Sequence, residues 1–201
     1  MRKTQAGILF ILFFANSLIQ AAPIDISETT GGFVTSDPSL VSFGPGINEA
    51  VLLEDSNFGV TYLSNDPFLG DPGISIPNNI TDLSFDYDFS TTGEDTFEVN
   101  LLDPNGGSQL FSFIFDSAST GSGNFSGNDI TIDLVSLGIP GTTIGLEFVL
   151  SSNINDSTQD AILNISDVRL NTSSGNIPEP SGLLLISLIT GVSLLRRRKL
   201  S

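Results

Sequence analysis

Leu83-Ser84-Phe85-Asp86-Tyr87-Asp88-Phe89 is the stretch on which the reading of this chain turns. Large apolar side chains alternate with Ser and Asp, and a period of two marks a strand with one buried face. Asp82 continues the phase on the polar side. The same alternation recurs in Phe97, Val99 and Leu101, in Phe111, Phe113 and Phe115, and in Ile130, Ile132 and Leu134. It returns in Ile144, Leu146, Phe148 and Leu150, and in Ala161, Leu163 and Ile165, which run on to Val168 and Leu170 with a bulge between. Nearer the start, Ala50–Leu53 and residues 58–63 predict a hairpin across residues 54–57.

Turn chemistry separates these runs: Asn65-Asp66-Pro67, Asp71-Pro72-Gly73, Asp103-Pro104-Asn105-Gly106, and the Gly-rich residues 121–124. Gly, Pro, Asn and Asp at such places supply the backbone angles and side-chain caps that tight turns need. No helical period of useful length stands between Pro23 and Asn176. Short strands at regular spacing, without repeats, predict one all-β domain: a single antiparallel β-sandwich over residues 22–170. The run of strands resembles jelly-roll domains of the galactose-binding or carbohydrate-binding-module type. Residues 171–176, polar and small, read as a linker.

Both ends differ from this domain. Arg2 and Lys3 precede the apolar residues 7–14, and small residues follow at Ala21-Ala22. That is the layout of a secretory signal peptide, residues 1–21, with cleavage preferred after Ala21 because a cut after Ala22 would abut Pro23. At the other end, Ile177-Pro178-Glu179-Pro180-Ser181 leads into residues 182–195, built only of Gly, Leu, Ile, Val, Ser and Thr. Such a segment forms a lipid-compatible helix, with Pro180 in its first turn and Glu179 near the positive end of its dipole. Arg196-Arg197-Arg198-Lys199 follow at once and mark the cytoplasmic side. Its fourteen residues rise about 21 Å, short of a bilayer core of about 30 Å. Snorkelling arginines make up part of the difference.

The tail, residues 177–201, resembles the PEP-CTERM protein-sorting signal. The matching residues are Pro178, Glu179 and Pro180, the short apolar helix, and Arg196, Arg197, Arg198 and Lys199. The resemblance implies recognition by exosortase, a membrane-embedded cysteine protease or transpeptidase, in bacteria that make exopolysaccharide. It implies an exported protein that passes through an inner-membrane-anchored intermediate before reaching the cell surface or extracellular matrix. It says nothing direct about the domain.

Charge separates the regions further. All 23 acidic residues lie between Asp25 and Glu179, and over that span the only cation is Arg169. Such a domain repels nucleic acid and anionic lipid and attracts divalent cations. The chain has no Cys and no His. Disulfides are therefore absent, and so are the commonest general base and the commonest transition-metal ligand. A Ser nucleophile would find neither His nor Lys beside it in the domain. Asp86 and Asp88 lie on one outer strand face, about 7 Å apart, but a solvated face places carboxylates in the same way. No hydrolase or transferase turnover is expected.

Calcium fits the residue types best, because it takes six to eight oxygens from carboxylates, amides and carbonyls. The candidate turns carry Asp66, Asp71, Asp103, Asp156 and Asp160, with Asn65, Asn105 and Asn155 beside them. None follows the EF-hand spacing. For sugar binding the chain lacks Trp, and Tyr62 and Tyr87 are its only tyrosines. Tyr87 shares its face with core residues; Tyr62 is left open. The sequence thus predicts a non-catalytic structural or adhesive protein associated with exopolysaccharide, with a lectin-like module as the alternative and a matrix glycoside hydrolase as a distant third.

Overall fold

The computed structural model describes residues 21–56, 59–92, 95–117, 121–152 and 159–172. The signal-peptide residues 1–20, Asp156 and the whole sorting tail, including Pro178 to Pro180 and Arg196 to Lys199, lie outside the described residues.

Twelve strands follow in chain order: β1 (Ala22–Pro23), β2 (Val34–Thr35), β3 (Val41–Phe43), β4 (Ala50–Leu53), β5 (Val60–Asn65), β6 (Ile74–Ser75), β7 (Ile80–Thr91), β8 (Thr96–Leu102), β9 (Gln109–Asp116), β10 (Gly123–Asp133), β11 (Thr143–Ser151) and β12 (Ile162–Thr172). They form two sheets. The front sheet runs β10-β7-β12-β4-β3 with β1 on β12, and the back sheet runs β2-β5-β11-β8-β9 with β6 on β11. Every pairing is antiparallel. The main strands are nested: β4 pairs with β12, β5 with β11, β7 with β10 and β8 with β9. One long antiparallel ribbon, wrapped so that successive pairs fall in alternate sheets, is a jelly roll.

The predicted hairpin between residues 50–53 and 58–63 does not form. β4 belongs to the front sheet and β5 to the back, so the chain crosses between sheets there. Alternation reports which face a strand buries, and both strands do bury one; it carries no information on the partner. Two boundaries also move. β10 starts at Gly123, inside a stretch read as a turn, and β12 runs to Thr172, where Asn171 Nδ2 donates to Ser84 Oγ at 2.9 Å.

The expected bulge in β12 is present, between Ser166 and Arg169, and β10 carries a second between Gly127 and Ile130. These strands flank β7, so the front sheet bends on both sides of Asp86. The extra residues include Asp129 and Asp167, both at φ 52°. Asp is among the few non-glycine residues that occupy the left-handed region readily.

The core is aromatic at one end. Tyr87 and Phe89 from the front sheet meet Phe97 and Phe115 from the back, with ring centroids 4.8 to 6.1 Å apart. Phe113 and Phe125 extend the cluster. Such edge and tilted contacts add about 0.5–1.5 kcal/mol per pair beyond area burial. At the other end Leu83, Leu101, Leu134 and Leu146 are fully buried.

Candidate functional site

The outer face of the front sheet holds a cleft of about 300 Å³ lined by Asp88, Ser90, Asn124, Ser126 and Asn164, with Phe89 and Phe125 at its base. Cross-strand register builds it. Ser126, Asp88 and Asn164 oppose one another in one row across β10, β7 and β12, and Asn124 and Ser90 face each other in the next. Small polar side chains in adjacent rows leave a depression that longer ones would fill. Asn164 Nδ2 points at the Asp88 carbonyl, 3.5 Å away. The lining thus offers hydroxyls, amides and one carboxylate, Asp88, and no second ionisable side chain among the described residues.

One strand step further lie the two bulges. The Asp129 N–H donates to Asp86 Oδ1 at 2.7 Å. The Arg169 guanidinium forms ion pairs with both Asp129 and Asp167 and sits largely buried between them. Asp86, Asp129 and Asp167 bring carboxylate oxygens within 4.8 Å of one another. Arg169 is the cation of this group, so its charge is balanced in part by the chain itself.

A second acidic trio lies where the ends of β4, β8 and β12 come together. Glu54, Asp95 and Asp160 also place carboxylate oxygens within 4.8 Å of one another. Glu54 and Asp95 are fully buried. Local structure fixes each. Glu54 directly follows β4, and its Oε2 accepts the backbone N–H groups of Asp160 and Ala161 at 3.0 and 2.9 Å. Asp95 precedes β8 and accepts from the Thr91 hydroxyl, and its carbonyl accepts from Ser117 N and Oγ. Asp160 precedes β12 and accepts from the Thr92 hydroxyl. Two of the three are buried and Asp160 is half-buried, and an all-oxygen donor set of this kind suits a hard divalent cation.

Of the residues read from the sequence as calcium ligands, Asp160 belongs to this trio. Asp66, Asp71 and Asp103 lie outside it, each in a turn that its carboxylate caps. Asp66 Oδ1 accepts the Phe68 N–H and Asp71 Oδ2 accepts the Asp66 N–H, both at 2.9 Å. Asp103 Oδ1 accepts the Asn105 N–H at 2.9 Å. Glu54 and Asp95 carry no local signal in the sequence; only the crossing of β4, β8 and β12 brings them together. Of the cleft residues, Asn164 falls on a strand in the sequence pattern, whereas Asn124 falls in the Gly-rich stretch read as a turn. Tyr87 is buried in the core, while Tyr62 stands on the outer face of the back sheet, 36% exposed.

No family model matches the chain, and no curated protein matches it. Among solved structures it is similar to a carbohydrate-binding module specific for non-crystalline cellulose (14% identity, TM-score 0.43, covering 70% of this chain and 87% of that one). It is also similar to an agarase (15% identity, TM-score 0.44, 77% of this chain and 26% of that one). A third is a carbohydrate-binding module in complex with calcium and xylotriose (17% identity, TM-score 0.32, 68% and 98%). These are distant likenesses of fold, and the jelly-roll order of the chain stands on its own strand pairings.

Proposed function

We propose that this chain is an exported, non-catalytic surface or matrix protein whose jelly roll holds extracellular polysaccharide in the front-sheet cleft. The observation that carries the reading is the lining: Asp88, Ser90, Asn124, Ser126 and Asn164 present hydrogen-bonding groups side by side along a groove. Sugars offer hydroxyls that both donate and accept, and serine, amide and carboxylate groups complement them. Hydrolysis would need a second carboxylate facing Asp88 across the cleft, and the described lining residues supply none. Binding without turnover is what such a set supports.

A structural Ca²⁺ at Glu54, Asp95 and Asp160 belongs to the same reading. It would tie the end of β4 to the starts of β8 and β12, and so clamp both sheets. Sorting by exosortase through Pro178, Glu179 and Pro180 remains the proposed route of export. Ala22 pairs with Leu170 in antiparallel register, so the first and last strands of the domain lie side by side.

The test is a glycan array and a sedimentation assay with polysaccharide from the producing bacterium, using the protein and its Asn164→Ala and Asp88→Ala variants. Binding to a neutral or acidic polysaccharide, lost in both variants, is expected. Retained binding in both, or release of new reducing ends by the unaltered protein, would overturn the reading.

A further inference from the structure

The back sheet presents its own polar row on the opposite side of the sandwich. Ser64, Glu147, Asn100 and Ser112 oppose one another across β5, β11, β8 and β9. An outer sheet face is ordinarily wet, yet Asn100 is 1% and Ser64 7% exposed. The turn after β5 explains part of this, since the Pro67 ring lies over Gly145, where a Cβ would meet its Cδ at 3.1 Å. Glu98 and Glu147 cover the rest. Asn100 Nδ2 donates to Glu98 Oε2 at 3.4 Å and to Glu147 Oε2 at 3.3 Å, both long contacts.

Two buried atoms of this row have no hydrogen-bond partner among the described residues: Asn100 Oδ1 and Ser112 Oγ. Native interiors rarely leave such groups unmade, and each exception asks for a reason. The adjoining row, Tyr62, Val149, Glu98 and Ile114, is a largely apolar strip. Its two ends, Tyr62 and Ile114, are well exposed.

We infer that this face binds an amino sugar, with the protonated amine between Glu98 and Glu147 and the sugar ring against Tyr62 and the apolar strip. Every charged group in the row is an acceptor, and an ammonium is a donor with no acceptor of its own. The two carboxylates already converge on one amide donor, and a cationic donor would replace it with charge-assisted bonds. Asn100 is then free to turn, and the ring hydroxyls supply donors for its Oδ1 and for Ser112 Oγ. A neutral sugar would leave both carboxylates unneutralised, whereas a bare metal ion would make no use of Tyr62. Burial, aided by the nearby Asp66 and Glu98 charges, raises the Glu147 carboxyl above its usual range despite bonds from Asn100 and Ser64, and a bound cation would relieve it. This inference does not depend on the front-sheet cleft.

Calorimetric titration of the full-length protein with a glucosamine tetrasaccharide, its N-acetylated counterpart, cellotetraose, tetralysine and CaCl₂ is the test. The glucosamine oligomer should bind at least tenfold more tightly than the other three organic probes, and Ca²⁺ should not displace it. Glu147→Gln, Glu98→Gln and Tyr62→Ala should each weaken it at least tenfold, while Asn164→Ala in the opposite cleft leaves it unchanged. Circular dichroism checks that each variant is folded; the partly exposed Glu98 provides the deciding substitution if Glu147→Gln unfolds. Equal affinity for the acetylated oligomer or for tetralysine, displacement by Ca²⁺, or full binding by folded Glu98→Gln would overturn the inference. Loss of binding in Asn164→Ala alone would place the ligand in the cleft and overturn it equally.

Discussion

Asp129 and Asp167 stand on opposite sides of Asp86, each at φ 52°, and share one guanidinium, that of Arg169. Two bulges on different strands thus converge on the single cation that the sequence places in the domain. Arg169→Met should leave three carboxylates facing one another. A loss of about 1–2 kcal/mol is expected, because exposed ion pairs contribute about 0–1 kcal/mol each and the guanidinium here is largely buried. At 1 M NaCl, where the Debye length is about 3 Å, the gap should narrow. Urea titrations of both proteins at low and high salt measure it; a gap that is unchanged by salt would argue against charge as the cause.

Phe97 is fully buried and lies in ring contact with Tyr87, Phe89, Phe113 and Phe115. Phe97→Ala should cost about 3–5 kcal/mol, from lost transfer energy plus the cavity left behind. Val135, 56% exposed, is the control: alanine there should change stability by about 0.5 kcal/mol or less. Equal effects at the two positions would contradict the packing described.

Millimolar Ca²⁺ should raise the melting temperature by several degrees beyond NaCl of the same ionic strength. A ligand that binds only the native state adds about 2.7 kcal/mol at a hundredfold excess over its Kd. Asp95→Asn or Asp160→Asn should abolish the increment, whereas Asp103→Ala, in a turn that caps itself, should keep it. Superimposable melting curves in the two salts would remove the metal from this account.

The raised pKa of Glu147 has a definite sign. Burial penalises the charged form, so the folded protein holds this proton to higher pH than the unfolded chain does, whose reference is 4.5. Stability is then greatest below that reference and falls as pH rises through the folded value. Glu147→Gln carries no such titration. It should be more stable than the unaltered protein at neutral pH, with the advantage shrinking toward pH 4 in guanidinium titrations; a constant difference across that range would count against the assignment.

Replacing Glu179 by Ala should block tail removal in a bacterium with an intact exosortase, leaving the hydrophobic segment and Arg196–Lys199 attached. Intact-mass analysis of the exported protein reads the outcome directly. Normal processing of the variant would show that the tripeptide is not the recognition element.

The sequence by itself determined the class of the domain. Strands such as Leu83 to Phe89 and Ile144 to Leu150 must bury one face, and a period of two permits no other assignment. It also marked the β12 bulge, where the alternation of Ala161, Leu163 and Ile165 changes phase before Val168. Partners were a different matter. Ala50–Leu53 and residues 58–63 look like a hairpin because patterning is local, whereas β4 pairs with β12 through hydrogen bonds between residues far apart in the chain. The sites follow the partners. Glu54, Asp95 and Asp160 are unremarkable acids, each at a strand end, and Ser126, Asp88 and Asn164 are ordinary polar positions. Only the wrapping of the ribbon sets three carboxylates within 4.8 Å and lines up one row of polar side chains. Composition decides what a strand face presents, but the register between strands decides what stands beside it.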